Sequence, residues 1–193
     1  MSRKNRLQRK EKQQKQSQNQ RMILIGGVAA LVLFIGVIAW VVRQQSPLSD
    51  VDVDSIADES VVYANLGQEH IGVDDAHAPY NSNPPTSGPH AGGVRTDFYT
   101  QQLADENLIH NLEHGHIWLS YRDSDDSEAI DLLQSIQSQF LSSVVVTYRP
   151  ENDTRIAVAA WNRLLALEEV DEDQILAFIS RYRDKAPESV PGR

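Results

Sequence analysis

Residues 22–42 (MILIGGVAALVLFIGVIAWVV) carry no charged side chain, and that run limits what the chain can be more than any other feature. Twenty-one residues in α-helix extend about 31 Å, close to the hydrocarbon thickness of a bilayer. A helix buried in a globular core rarely runs so long without one polar face. A cleavable signal peptide has an apolar stretch of about 7–15 residues ending in a small-x-small site. Here the run is longer and continues into Val42-Arg43-Gln44-Gln45, which offers no such site. The reading is a retained signal anchor, a single transmembrane helix with Trp40 at its outer interface.

Charge on either side of the run sets the orientation. Residues 1–21 hold eight Lys or Arg and one Glu, a net +7, and residues 44–193 hold nine Lys or Arg against 26 Asp or Glu, a net −17. The positive-inside rule keeps the N-terminus in the cytoplasm and exports the rest across the plasma membrane. Residues 1–21 read as a basic disordered tail, rich in Gln, Lys, Arg and Asn with almost nothing apolar. An exported part at −17 is repelled by polyanions, so no nucleic-acid partner is expected, while cations and basic protein partners remain open. The chain has no cysteine, which excludes thiol catalysis, disulfide redox chemistry and lipid attachment through a thioether.

The polar, acidic residues 43–60 read as a linker, residues 61–188 as the exported domain, and residues 189–193 as a tail. A short strand is expected at 61–66, followed by a loop over 67–94 with three prolines and a glycine close together. Helix is expected over 98–114 with Gly115 as the C′ residue, then a strand at 116–121 and a helix over 127–141. A strand at 144–148, strands at 155–161 and 164–167, and a helix over 172–184 complete the order. This implies an α+β domain with a small mixed β-sheet flanked by helices. The strand–helix–strand–hairpin–helix portion is compatible with a thioredoxin-like half.

All six histidines fall between residues 70 and 116. His110 and His114 lie four apart on one helix face with Cβ atoms about 5–6 Å apart, a separation that suits two ligands of one metal ion. His110-Asn111-Leu112-Glu113-His114 also has the H-x-x-E-H form of the inverted zinc peptidases, in which Glu113 would be the general base. The proline-rich loop would bring His90, with His70, to complete the sphere. The bland alternative is that His114, at a helix end, serves the dipole and the last carbonyls. His77 and His116 read as a loop residue and a strand-start residue, Glu113 equally as a supporting partner, and Trp118, Trp161 and Tyr121 as core. The exported part contains no Cys and no Met, and imidazole with optional carboxylate favours Zn, Cu(II), Ni(II) or Fe(II) over Cu(I), Ca or Mg. Neutral imidazole is required, so occupancy should fall as pH drops through about 6.5.

Gln68-Glu69-His70-Ile71, Asn83-Pro84-Pro85-Thr86-Ser87-Gly88-Pro89-His90 and Ile109-His110-Asn111-Leu112-Glu113-His114-Gly115 are distinctive strings. With Ala159-Ala160-Trp161, the string over 171–179 that opens on the cap residue Asp171, and Ala186-Pro187-Glu188, the chain resembles the bacterial domain-of-unknown-function family 3105, over residues 60–188. The resemblance implies no activity. It picks out the positions His70, His90, His110 and His114, which converge as the expected metal set, and the ligand chemistry above makes zinc or Cu(II) the expected ion. Two other readings stand beside it. One is a metal-dependent hydrolase with Glu113 as base and Asn111 or Tyr80 as orienter. The other is a structural interaction domain whose acidic face docks a basic protein partner.

Overall fold

A computed structural model describes residues 51–189 together with the single residue Phe34. The basic tail, the expected anchor apart from Phe34, residues 43–50 of the linker and residues 190–193 lie outside the described residues. Among the described residues no helix is long and apolar enough to cross a membrane. The chain divides between Ser46 and Pro47, and the sheet and its helices belong to the second unit.

The elements run β1 (Val61–Val62), β2 (Phe98–Tyr99), α1 (Asp105–Glu113), β3 (Ile117–Tyr121), α2 (Ser127–Gln139), β4 (Val144–Tyr148), β5 (Ile156–Ala160), β6 (Arg163–Leu167) and α3 (Glu172–Tyr182). Six strands form one mixed sheet in the order β1-β6-β5-β3-β4-β2. β4 lies parallel to both β3 and β2, and the other pairings are antiparallel. The domain is α+β, as its pattern predicts.

Period-two alternation sorts the strand side chains onto two faces, both covered. Ile117, Leu119, Val144, Val146, Ile156 and Val158 point to one face and pack under Leu133 and Ile136 of α2 and Ile175, Phe178 and Ile179 of α3. Trp118, Val145, Ala157 and Ala159 point to the other, where Leu108, Ile109 and Leu112 of α1 cover them. Burying one stripe of α1 against the sheet leaves His110 and Glu113 on the side away from it, toward the proline-rich loop.

Several expected boundaries move. Helix does not begin at 98: Phe98–Tyr99 is an edge strand, Phe98 stacking on Tyr121 at 6.1 Å between ring centroids. α1 starts only at Asp105, with Asp105 and Glu106 in its first turn where the helix dipole favours carboxylates. The first strand stops after Val62, and Asn65 turns the chain by accepting from the Gly67 N–H. α2 ends at Gln139 and α3 at Tyr182, where Asp184, at φ 60°, instead donates its N–H to Gly115 O. Residues 51–58, within the expected linker, lie along α3: Arg181 Nη2 donates to Val53 O and Ile56 O, and Tyr182 bonds Asp58.

α2 has a capping arrangement with a measurable consequence. Asp126 accepts from the Ala129 N–H and holds Arg155 through both carboxylate oxygens, at 2.6 and 2.8 Å. The Arg155 hydrogen bonds hold the Asp126 carboxyl below its usual range. A depressed folded value contributes stability above the unfolded value, near 3.9, and loses it as pH falls through the depressed one. Asp126→Ala is expected to cost about 1 kcal/mol in denaturant unfolding at pH 7. The gap to wild type should close in strong acid.

Candidate metal centre

The proline-rich loop is buried, which its composition alone does not require. Pro84, Pro85, Thr86, Ser87 and Gly88 are enclosed, and each fixed point of the loop has a partner. Tyr80 OH donates to Pro89 O at 2.7 Å, Asn162 N–H to Thr86 O, and Ala91 N–H to Glu106 O on α1. Burial pushes the Tyr80 phenol well up, with the Glu106 and Asp105 charges adding. Gly88 sits at φ +126°, and a Cβ there would meet the Tyr80 ring at 3.1 Å, so only glycine lets the loop turn against that ring. Asn111, buried on α1, receives the Val94 N–H and donates back to Val94 O, closing the loop's far end as a strand partner would. Tyr80 and Asn111 thus hold the loop and spend their polar atoms on its backbone.

The loop delivers His90 to α1. A bridge between His70 and His90 lays the 68–71 segment alongside, with the His90 N–H donating to Glu69 O and the Ile71 N–H to His90 O. One ligand atom from each of His70, His90, His110 and Glu113 then lies within 4.8 Å of the others, a group able to hold a metal ion. Glu113 Oε2 faces His90 Nε2 at 3.0 Å, His70 Nε2 at 3.7 Å and His110 Nδ1 at 3.9 Å. Its other oxygen, Oε1, accepts from Gln68 Nε2 at 2.7 Å.

Two backbone carbonyls set the ring tautomers, because a carbonyl can only accept. Gly88 O lies 2.8 Å from His90 Nδ1, so that nitrogen carries the proton and neutral His90 turns its Nε2 lone pair to the Glu113 carboxylate. Two acceptors at that distance require a cation between them, a proton or a metal ion. Glu188 O lies 3.4 Å from His114 Nδ1, so neutral His114 offers its Nε2 lone pair to His110 Nε2–H at 3.0 Å. His110 then presents its Nδ1 lone pair to the cluster, where this atom is buried and has no hydrogen-bond partner among the described residues. Burial, then the neighbouring His114 and His90, depress the His110 pKa against the pull of Glu113, which keeps its lone pair free at neutral pH.

Of the residues singled out from sequence, His70, His90 and His110 therefore converge. His114 stands behind His110, 3.0 Å from its far nitrogen, and belongs to a second, more open grouping with Glu113 and Glu188. His77 bonds Ala78 O and Glu106, and half-buried His116 bonds Asn111, its pKa depressed by burial and then by His114. Sequence reasoning missed Gln68 as the partner of Glu113 and the Gly88 and Glu188 carbonyls as the groups that aim the rings. The available signal was Glu113 itself: on a helix whose Leu108, Ile109 and Leu112 face the sheet, a carboxylate one residue beyond is drawn toward the core and must be partnered.

A family model described as protein of unknown function (DUF3105) matches residues 73–192. The chain belongs to that family. The match takes in His90, His110 and Glu113 and begins three residues after His70. No curated protein and no solved structure matches the chain.

Proposed function

We propose that this DUF3105 member is a membrane-anchored, extracytoplasmic protein that binds one transition-metal ion, zinc or Cu(II), through His70, His90, His110 and Glu113. The observation that carries the reading is the aim of the lone pairs. Gly88 O and the Glu188–His114–His110 chain turn two imidazole nitrogens into the same buried spot as a carboxylate. Buried acceptors are not gathered around a carboxylate without a cation to hold them. Three nitrogens and one oxygen, with neither thiolate nor thioether, suit zinc or Cu(II). His114 acts as the outer partner that orients a ligating imidazole.

The charge-free run at 22–42 and the +7 tail before it support anchoring in the plasma membrane with the N-terminus in the cytoplasm. Strands laid β4-β3-β5-β6, with a hairpin following a strand–helix–strand unit, support a thioredoxin-like half as scaffold, one that carries no thiol chemistry. The hydrolase alternative needs Glu113 free as a base, whereas its Oε1 is bonded to Gln68 and its Oε2 faces the nitrogens of His70, His90 and His110. An interaction domain with purely structural histidines leaves the orphaned His110 Nδ1 without a reason.

Calorimetric titration of the full chain, purified without a His tag, tests the reading. One zinc per chain is expected, with affinity falling in acid because protons compete for the ring nitrogens. Heats no larger than dilution at pH 7.5, for zinc and for copper alike, would overturn it.

A further inference from the structure

The four ligand side chains are not held alike. Those of His90 and Glu113 are fully buried, that of His110 is 22% exposed, and that of His70 is 55% exposed. His90 is fixed by Gly88 O, Glu113 by the Gln68 amide and His110 by His114. His70 reaches the cluster from the solvent side, its Nε2 3.7 Å from Glu113 Oε2 and its ring edge-on to His90 at 4.6 Å. The backbone of the 69–71 segment is paired to His90, so the His70 ring can rotate about its side-chain bonds into solvent while the main chain stays put. What remains is two imidazoles and one carboxylate on rigid, buried supports. Three protein ligands with one position open is the arrangement of metal sites that bind an exogenous group.

We infer that His70 is an exchangeable ligand, and that the coordination position it occupies accepts a small monodentate donor from solvent, with preference for an anion. The inference rests on the metal-binding reading above. Charge gives the preference: a divalent ion held by one carboxylate and neutral imidazoles leaves the site at net +1. Size follows from the cover, since Gln68 and His70 come from the same segment over the mouth and Gln68 stays bonded to Glu113. Residues 44–193 carry −17, which repels polyanions and leaves small ligands such as carboxylate or azide as the class admitted.

Cobalt(II) in place of zinc gives a visible spectrum that reports coordination, with azide and free imidazole as probes of the full chain. In His70→Ala, one cobalt per chain should be retained. Azide should shift the spectrum at roughly tenfold lower concentration than in wild type, a difference of about 1.4 kcal/mol. Millimolar imidazole should restore the wild-type spectrum. Loss of cobalt as complete as in His90→Ala would overturn the inference by making His70 a fixed ligand. Retained cobalt indifferent to both probes would overturn it by leaving no exchangeable position. If wild type itself takes up neither cobalt nor zinc, the metal-binding reading fails and this inference falls with it.

Discussion

Bound metal should fall from one ion per chain to none when His90 and His110 are both replaced by alanine. Each supplies a nitrogen whose direction is set by a hydrogen bond on the opposite side of its ring, and together they are two of three nitrogens in the group. The pair left behind, His70 and Glu113, includes the most exposed imidazole and cannot surround an ion. His114→Ala is the informative contrast. If His114 were a ligand equal to His110, its loss would be as damaging. Standing behind His110, it should weaken binding only about 10–100-fold, as outer partners of ligating histidines do. Metal analysis and zinc titration of the two variants separate these roles. Equal loss in both would return His114 to the coordination sphere.

The second large effect is expected at Arg149, far from any ligand atom in sequence. Its guanidinium is buried and grips both oxygens of Asp105 at 2.9 and 2.8 Å, while Nη1 reaches Asn83 at 2.6 Å and Asn152 at 3.0 Å. One side chain thereby joins the first turn of α1, the loop that carries His90, and the turn between β4 and β5. Asn83 is itself bonded to Glu151 O, so the loop is clamped at both ends of that amide. Arg149→Ala leaves Asp105 without its partner in a side chain only 21% exposed, and breaking such a pair from one side typically costs about 3–5 kcal/mol. Chemical denaturation should register that loss. Arg149→Lys should recover little of it, since an ammonium cannot present the planar fork that spans a carboxylate and two amides. Zinc affinity should also drop, because the loop position of His90 depends on Asn83. An Arg149→Ala variant with near wild-type stability would show the network to be dispensable.

The fold was legible where periodicity was strong. Val144–Tyr148, Ile156–Ala160 and the apolar stripe of Ser127–Gln139 are simple patterns, and their faces pack as those patterns require. Gly115 was readable as a C′ residue, and it lies at φ +84°, where a Cβ would collide with Ser189 and Asp184. Phe98–Tyr99 misled because two aromatics beside a polar run satisfy helix and strand equally, and the choice is made by an edge on β4 that no local pattern encodes.

The site was half legible. Helical spacing marks His110 and His114 as neighbours, yet it cannot say which nitrogen of each ring faces inward. That is decided by Gly88 O, two residues from His90, and by Glu188 O, 74 residues from His114, and backbone carbonyls leave no mark in a sequence. Spacing favoured the i,i+4 histidine pair, whereas packing of Leu108, Ile109 and Leu112 on the sheet turned His110 and Glu113 together toward the loop.

Metal content of the full chain is the most direct test. The untagged protein would be purified, equilibrated with excess zinc, dialysed against metal-free buffer at pH 7.5 and assayed by plasma mass spectrometry. Close to one zinc per chain is expected in wild type and none in the His90→Ala, His110→Ala variant. Wild type and variant both emerging free of metal, or both retaining the same amount, would contradict the metal-binding reading.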